Sequence, residues 1–598
     1  MAINLSQGGN FDAEMGRPEL EKLGGTRTSI HEGDKEDKIP DRSPASSFED
    51  SQVDTKFQPG VQDVEAVTIS WSKTSLAISY VLIWFVYALQ GIVSGVSGSL
   101  LPYITSGFAE HSLTPTTSVI SAVIGGVTNL TIAKVLDIFG RPQGYFVCII
   151  LTTVGLIMSA ACNNVEAYAA SQVFYIVGIN GIGYSLSVFV ADTTTLRNRA
   201  LMQSICQSPY IITAWFAGPI ATAFLNGPGW RWAFGMEAIL TVVVTLPLFG
   251  FFMYHFMKAK KQHLVPKHSS GRTLLESAIY YLREFDAVGL LLLSAGVAFF
   301  LLPFNLYMLQ AKGWSSPILI VFLVLGIVLL ITFGIWERFF AKTSFIPWSI
   351  LRDRTALGAC FASFTLFLSN GCWGAYFTSF LQVVNGLSVT HASYCVQTMT
   401  VGSILFCIPA GAVVSYTGRY KPLALYVALP LTLLGSGLMI YFRQSDQNIG
   451  YIVMCQVFLA ISGGAFMVTA EIAIMAAVVE HQYFAVSIAV LGMFSSVGTA
   501  IGYTISSAIW QKKFPESLAQ HLPPDALPDL AVIYGDIMTQ LSYAVGSETR
   551  VAIQHAYADA WKYLMIAATA SWAIGVVSVL LWRNINVIGI KQTKGHVI

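Results

Sequence analysis

Along most of this chain apolar positions neither alternate with polar ones nor share turns with them. They run on, from Leu76 to Leu89 and further to Ile104, from Val288 to Leu302 and from Leu319 to Trp336. A helix rising about 1.5 Å per residue needs such lengths to cross a hydrocarbon layer about 30 Å thick. Strands of a membrane barrel would alternate over about 10 residues instead, and in lipid a helix satisfies its own backbone. The pattern predicts an all-α membrane protein with about fourteen spans, near 76–104, 117–136, 144–161, 168–190, 201–224, 233–255, 287–308, 317–336, 356–384, 393–415, 422–442, 450–477, 484–509 and 562–582.

What lies between the runs sets the orientation. Segments on the side of the chain ends contain Arg141, Arg197, Arg199, Lys258, Lys260, Lys261, Arg338, Arg419 and Lys421, whereas the opposite short loops offer Arg231, Lys312 and Arg443. Lys and Arg gather on cytoplasmic loops, so both termini are expected in the cytoplasm. Residues 1–70 break the pattern, being rich in Asp, Glu, Lys, Ser, Gly and Pro with few aromatics. They are expected to form a disordered cytoplasmic tail, and they lack the basic start, apolar core and small-residue site of a secretory signal.

Composition narrows the classes. Of 598 residues 54% are hydrophobic and 11% charged, against roughly 25% charged in soluble domains. A net charge of +1 gives no support to nucleic-acid binding. The eight cysteines are scattered without a CxxC pair, which argues against a disulfide or zinc framework. The ten histidines are dispersed without an HxxxH pair, so no resident metal is expected.

An internal repeat organises the spans. Ala133-Lys134-Val135-Leu136-Asp137-Ile138-Phe139-Gly140-Arg141, between helices two and three, matches Gly411-Ala412-Val413-Val414-Ser415-Tyr416-Thr417-Gly418-Arg419, between helices ten and eleven, in its spacing from small residue to polar residue to Gly-Arg. Gln172-Val173-Phe174 and Gln456-Val457-Phe458 recur at nearly the same offset in helices four and twelve. Two six-helix bundles are expected, 71–255 and 356–582, with a cytoplasmic linker and two inserted helices over 256–355, a long external loop 511–561 and a short cytoplasmic tail 583–598. Duplicated halves with a solute site at their interface are a transporter design.

Asp137 with Gly140-Arg141 resembles the loop signature of the major facilitator superfamily, from which Ala133, Ile138 and Pro142 depart. Gly218-Pro219 and Trp230-Arg231-Trp232-Ala233-Phe234 resemble segments of its drug:proton antiporters, but Phe174 and Val177 stand in helix four where those carry an intramembrane arginine. Asp192-Thr193-Thr194-Thr195-Leu196-Arg197-Asn198-Arg199, Gly229-Trp230-Arg231-Trp232, and Gly546-Ser547-Glu548-Thr549-Arg550-Val551-Ala552-Ile553 with Ala556-Tyr557 are similar to fungal siderophore-iron transporters. That resemblance runs from Trp71 onward. It implies the major facilitator fold and import of ferric hydroxamate siderophores, of triacetylfusarinine or ferrichrome type, by proton symport with alternating access. It further implies a monomer in the cell membrane, with a vesicular pool as a second location. The partners are then a ferric siderophore, protons and the lipid bilayer, with no cofactor, because the iron enters already chelated.

A large cavity with aromatic walls and a few hydrogen-bonding groups suits such a solute. Glycine-rich turns beside aromatics and amides in helices one and nine single out Tyr87, Gln90, Asn370, Trp373, Tyr376 and Phe377 as substrate contacts, with plain helix packing as the alternative. Apolar residues near helical spacing from 536 to 563 predict an amphipathic helix on the external side. Arg550 and Tyr557 there are expected to meet the solute at the entrance, the alternative being a passive spacer. An ionised side chain costs about 2.5–3.5 kcal/mol at mid-membrane. Glu471, following Ser462-Gly463-Gly464, is therefore the leading proton-coupling residue, and Glu237 the second. By resemblance, Asp137, Gly140, Arg141, Asp192, Arg197, Arg199 and Arg419 belong to a cytoplasmic gate, Asp137 reaching helix eleven or the Asp192 loop. The nearest rival is a proton-driven exporter of drugs or toxins, and the second a receptor that does not transport. No nucleophile and base constellation suggests an enzyme.

Overall fold

The computed structural model describes residues 72–106, 114–262, 273, 275–276, 280, 282–283, 286–307, 310, 312–341, 352–444, 446–477 and 484–588. The tail expected over 1–70 lies outside the described residues, as do residues 589–598 of the second tail. The spanning helices are α1 Lys73–Ser106, α2 Thr114–Phe139, α3 Arg141–Ala161, α4 Val165–Thr193, α5 Leu196–Leu225, α6 Trp230–Lys261 and α7 Ala287–Leu306. They continue with α8 Pro317–Phe339, α9 Arg354–Val383, α10 Val389–Thr417, α11 Lys421–Tyr441, α12 Ile449–Ala477, α13 Phe484–His521 and α14 Glu548–Leu581. Thirteen of these are long and apolar enough to cross a membrane; α2, apolar over Ser121–Leu136, completes the set.

Two spans are interrupted. α5 is jointed between Gln207 and Pro209, where the proline has no N–H to continue the ladder. α9 breaks at Ala375 and Tyr376 and resumes at Phe377.

Within the first six helices α1 packs on α5 and α6, α2 on α4, α3 on α4, and α3 on α6. The last six repeat this scheme: α9 packs on α13 and α14, α10 on α12, α11 on α12, and α11 on α14. Glycines let the backbones meet, as membrane helices without a hydrophobic drive between them require. A Cβ on Gly155 would lie 2.7 Å from Tyr175 Cα, and one on Gly371 3.1 Å from Gly502 Cα. The two bundles join along two seams, α2 against α13 and α10 against α5. α7 leans on α2 and α13, and α8 packs on α7. Ile320, Val324, Ile327, Ile331 and Ile335 of α8 are exposed, the surface a helix bathed in lipid presents.

The expected external loop 511–561 is shorter than the hydropathy suggests. α13 continues to His521 and α14 begins at Glu548, leaving 522–547 with two helical turns, Leu530–Gly535 and Ile537–Ser542. Polar pairs hold the two helices together where their apolar runs end. Ser517 Oγ donates to Asp559 Oδ2 at 2.9 Å, His521 Nε2 lies 3.1 Å from the same oxygen, and Lys513 Nζ stands 5.3 Å from the Tyr563 ring centroid.

After α14 the chain turns under the α10–α11 connection. Lys421 Nζ donates to the carbonyls of Leu580 (3.0 Å) and Trp582 (2.6 Å), and Tyr420 OH to that of Arg583 (2.8 Å). Val587 N donates to Gly418 O at 2.9 Å. Trp582 and Val587 are buried there.

Candidate functional site

The face at which α1 begins and α14 ends carries the first group of residues singled out from the sequence. Gly140 and Gly418, equivalent in the repeat, have φ of 97° and 70°, a region that favours residues without a Cβ. Each thereby turns the chain sharply from one helix into the next. Arg141 follows at the start of α3, and its Nε lies 3.4 Å from Asp192 Oδ2 near the end of α4. Arg199 is buried; its Nη2 donates to the carbonyls of Ala191 (3.0 Å) and Thr194 (3.2 Å), and its Nη1 to Met475 Sδ of α12 (3.2 Å). Its guanidinium is within electrostatic reach of both Asp192 and Glu471. A chain of opposite charges thus crosses from the first bundle to the second: Arg141, Asp192, Arg199, Glu471. Beside it Arg197 Nε donates to Ser415 O at 2.8 Å, and Ser415 Oγ to Asn198 Oδ1 at 2.9 Å, tying α5 to α10. Arg419 is exposed. The Asp137 side chain lies outside the described residues.

Glu471 owes its surroundings to α12. From Ser462 to Ala476 every residue is buried except Met467, which is exposed, and Glu471, which is half-buried. These two are one turn apart. A helix against lipid would open a broad stripe, whereas a single column one residue wide marks a helix lining an internal space. Glu237 of α6 is fully buried and accepts from Ser97 Oγ of α1 at 3.3 and 3.5 Å. It belongs to the interior of the first bundle, away from the seams.

Tyr87 and Gln90 of α1 are buried within the first bundle too. Gln203 Nε2 donates to Tyr87 OH (3.2 Å) and to Ser187 Oγ (2.8 Å). Gln90 donates to Ile179 O and accepts from Tyr210 OH, both at 3.4 Å. Asn370 of α9 is half-buried and Gly374, one turn on, is exposed.

The aromatic expectations for α9 need correction. Trp373, Tyr376 and Phe377 are buried and do not line an open cavity. The break at Ala375 and Tyr376 turns them into a packed cluster, where Tyr376 stacks on Trp510 with centroids 4.1 Å apart and Phe377 and Phe380 lie 5.7 and 4.5 Å from Trp561. Arg550 and Tyr557, expected at an entrance, are buried below the outer segment. Arg550 donates to the carbonyls of Gln540 and Gln382, and Tyr557 OH to Gln540 Oε1 at 2.7 Å. Their task in this conformation is to hold the segment down.

The same network ties the bundles together at this far end. Tyr103 OH of α1 donates to Gln382 Oε1, and Ile537 N donates to Ser106 Oγ at 3.2 Å. Ser99 Oγ donates to Ser393 Oγ at 3.0 Å, and the hydroxyls of Thr222 and Thr390 are 2.8 Å apart. The bundles are therefore bonded to each other at both ends, with the open faces of α1, α9 and α12 between. Tyr103, Gln382 and Gln540 escaped the sequence reading, although amides beside apolar runs were a usable signal. Met467 gave none.

Comparison with known proteins adds the following. The profile of the Major Facilitator Superfamily matches residues 83–352. The chain is 48% identical, over 92% of its length and 93% of the relative's, to "MFS siderochrome iron transporter 1" of Ajellomyces capsulatus. It is 39% identical to "Siderophore iron transporter mirB" of Emericella nidulans, covering 97% and 95% of the two chains. Among solved structures, a bacterial homolog of the human lysosomal transporter Spinster, inward-facing and occupied, aligns over 86% of this chain and 97% of its own with a TM-score of 0.47 and 14% identity.

Proposed function

We infer what is carried from a premise now in hand: the chain belongs to the siderophore-iron transporters of the major facilitator superfamily. It imports ferric hydroxamate siderophores by proton symport, the two bundles rocking about the α2–α13 and α5–α10 seams to expose the space between them to one side and then the other. The observation that carries this reading is near-complete alignment, at 48% and 39% identity, with proteins named for siderochrome or siderophore iron transport. The protein works in the cell membrane as a monomer with both termini in the cytoplasm. The grouping of Arg141, Arg197, Arg199, Arg419 and Lys421 at one face supports that orientation.

Glu471 carries the proton. It meets the internal space on one side and Arg199 of the other bundle within electrostatic reach. Protonation would remove the charge that Arg199 faces across the seam and weaken the closure at the cytoplasmic end, so the solute leaves on that side. Glu237, enclosed within one bundle with Ser97, has a holding role unless that bundle itself loosens. Iron stays inside its chelator throughout.

Cells lacking other routes of iron-chelate uptake should accumulate labelled ferric hydroxamate when this chain is expressed, faster at acidic external pH. Dye extrusion without accumulation would replace the importer by an exporter. With Glu471→Gln, uptake should lose its pH dependence; a variant that keeps both rate and pH profile transfers the proton to another residue.

A further inference from the structure

α1 and α9 occupy equivalent positions in the two bundles, and one pattern recurs in them. An exposed phenylalanine is followed nine positions on by a polar residue and four further by a glycine: Phe85, Ser94, Gly98 and Phe361, Asn370, Gly374. At about 100° per residue, nine positions turn the helix half way round. Phe85 is 52% exposed, and Ile78 and Val81 are exposed on its side of α1, the side that meets lipid; Phe361 is 38% exposed on α9. Ser94 and Gly98, and likewise Asn370 and Gly374, open on the opposite side.

The glycines of these two helices fall into two kinds. A Cβ on Gly95 would lie 2.6 Å from Gln397 Nε2, and one on Gly371 2.9 Å from Thr499 O, so these are small because helices touch there. Three residues later the surroundings reverse. Among the described residues, and apart from the adjoining backbone of its own helix, no heavy atom lies within 4 Å of where a Cβ would stand on Gly98, and on Gly374 it would meet Asn370 Oδ1 alone, at 3.5 Å. Packing gives no reason for a glycine at either position. Each also keeps a hydrogen-bonding side chain one turn away, and the open column of Met467 and Glu471 on α12 lies in the same bundle as Gly374.

We propose that Gly98 and Gly374 are a matched pair of specificity-determining residues that set the upper size of the solute, with Ser94 and Asn370 offering hydrogen bonds to it. This rests on the importer reading above. A bulky chelate passes between α1 and α9 where both have shed their side chains, and a branched side chain at either position narrows the path from one wall without meeting a neighbouring helix.

The test has two arms. In the first, Gly98→Val and Gly374→Val are compared with wild type in uptake of ferric trihydroxamates graded by molecular volume, with Gly98→Ala as the intermediate step in side-chain size. The expected result is a fall of about 10-fold for the largest chelate relative to the smallest, at normal surface abundance, with the alanine variant falling between wild type and valine. An equal loss for every chelate, or an unchanged ratio, overturns the proposal. In the second arm Gly98→Cys, Gly374→Cys and Phe85→Cys are treated with a hydrophilic thiol reagent; the native cysteines are buried except the half-buried Cys395. The glycine positions should react and be shielded by the large chelate, and position 85 should stay unreactive. Unreactive cysteines at both glycine positions would mean that these face lipid, which overturns the proposal whatever the cells import. If wild type accumulates no chelate, the importer reading falls by itself, and the valine variants are then judged by the same ratio on extruded dyes of graded size.

Discussion

The two ends of the contact between the bundles are closed by different chemistry. At the end shared by the chain termini the closure is charged: Arg199 between Asp192 and Glu471, and Arg197 on a carbonyl of α10. At the far end the bonds that cross between the bundles are neutral, Tyr103 on Gln382 and paired Ser and Thr hydroxyls, while Arg550 meets only carbonyls inside the second bundle. A charged closure answers to protonation, because removing one charge changes its energy by a large amount in a dry setting. A neutral closure answers to shape, and a solute that displaces amides and hydroxyls can open it without any proton. Under the symport proposed above, the difference would give each side of the membrane its own trigger.

The largest break in this contrast should come from Arg199→Ala. It removes the guanidinium that buried Asp192 shares with Arg141 and that half-buried Glu471 faces, a loss of at most about 3–5 kcal/mol, so a lowered melting temperature in detergent and loss of uptake are expected. A smaller effect belongs to Gln540→Ala at the far end, where Tyr557 OH would lose its acceptor and Ile533 O its donor; about 1–3 kcal/mol of stability should go, read by thermal unfolding, with the pH profile of uptake unmoved. Tyr103→Phe deletes one neutral bond between the bundles, worth about 0.5–1.5 kcal/mol. It should increase thiol labelling of a cysteine introduced at Ser106 while transport persists. Arg197→Ala should do least, about 1 kcal/mol or below because the side chain is exposed, and added salt should shrink the difference from wild type.

Much of the architecture was written in the apolar runs, and the reason is the solvent: lipid permits few alternatives to a helix. The errors fall where lipid stops dictating. α14 begins at Glu548, but Glu548, Arg550, Gln554, His555, Asp559 and Lys562 interrupt its first turns with polar groups, so hydropathy finds the helix late. The break in α9 could not be read, since Gly371 and Gly374 are both glycine and only the second stands near it. That break decides which way Tyr376 and Phe377 point, and with Trp373 they are packed together in this conformation. Charged candidates fared differently. Arg141, Asp192, Arg199 and Glu471 stand out in sequence because ionised groups are costly there, yet their order across the seam depends on which helices face each other.

The stretch after α14 has a bearing on how the protein is made. Trp582 and Val587, clasped by Lys421, Tyr420 and Gly418, follow the last of the fourteen described spans and are synthesised after all of them. The connection between α10 and α11 therefore waits, unfastened, through most of synthesis. A chain that stops short of Trp582 would keep its membrane topology and still present a raw apolar seat to chaperones and proteases, a mark by which unfinished copies can be told from complete ones.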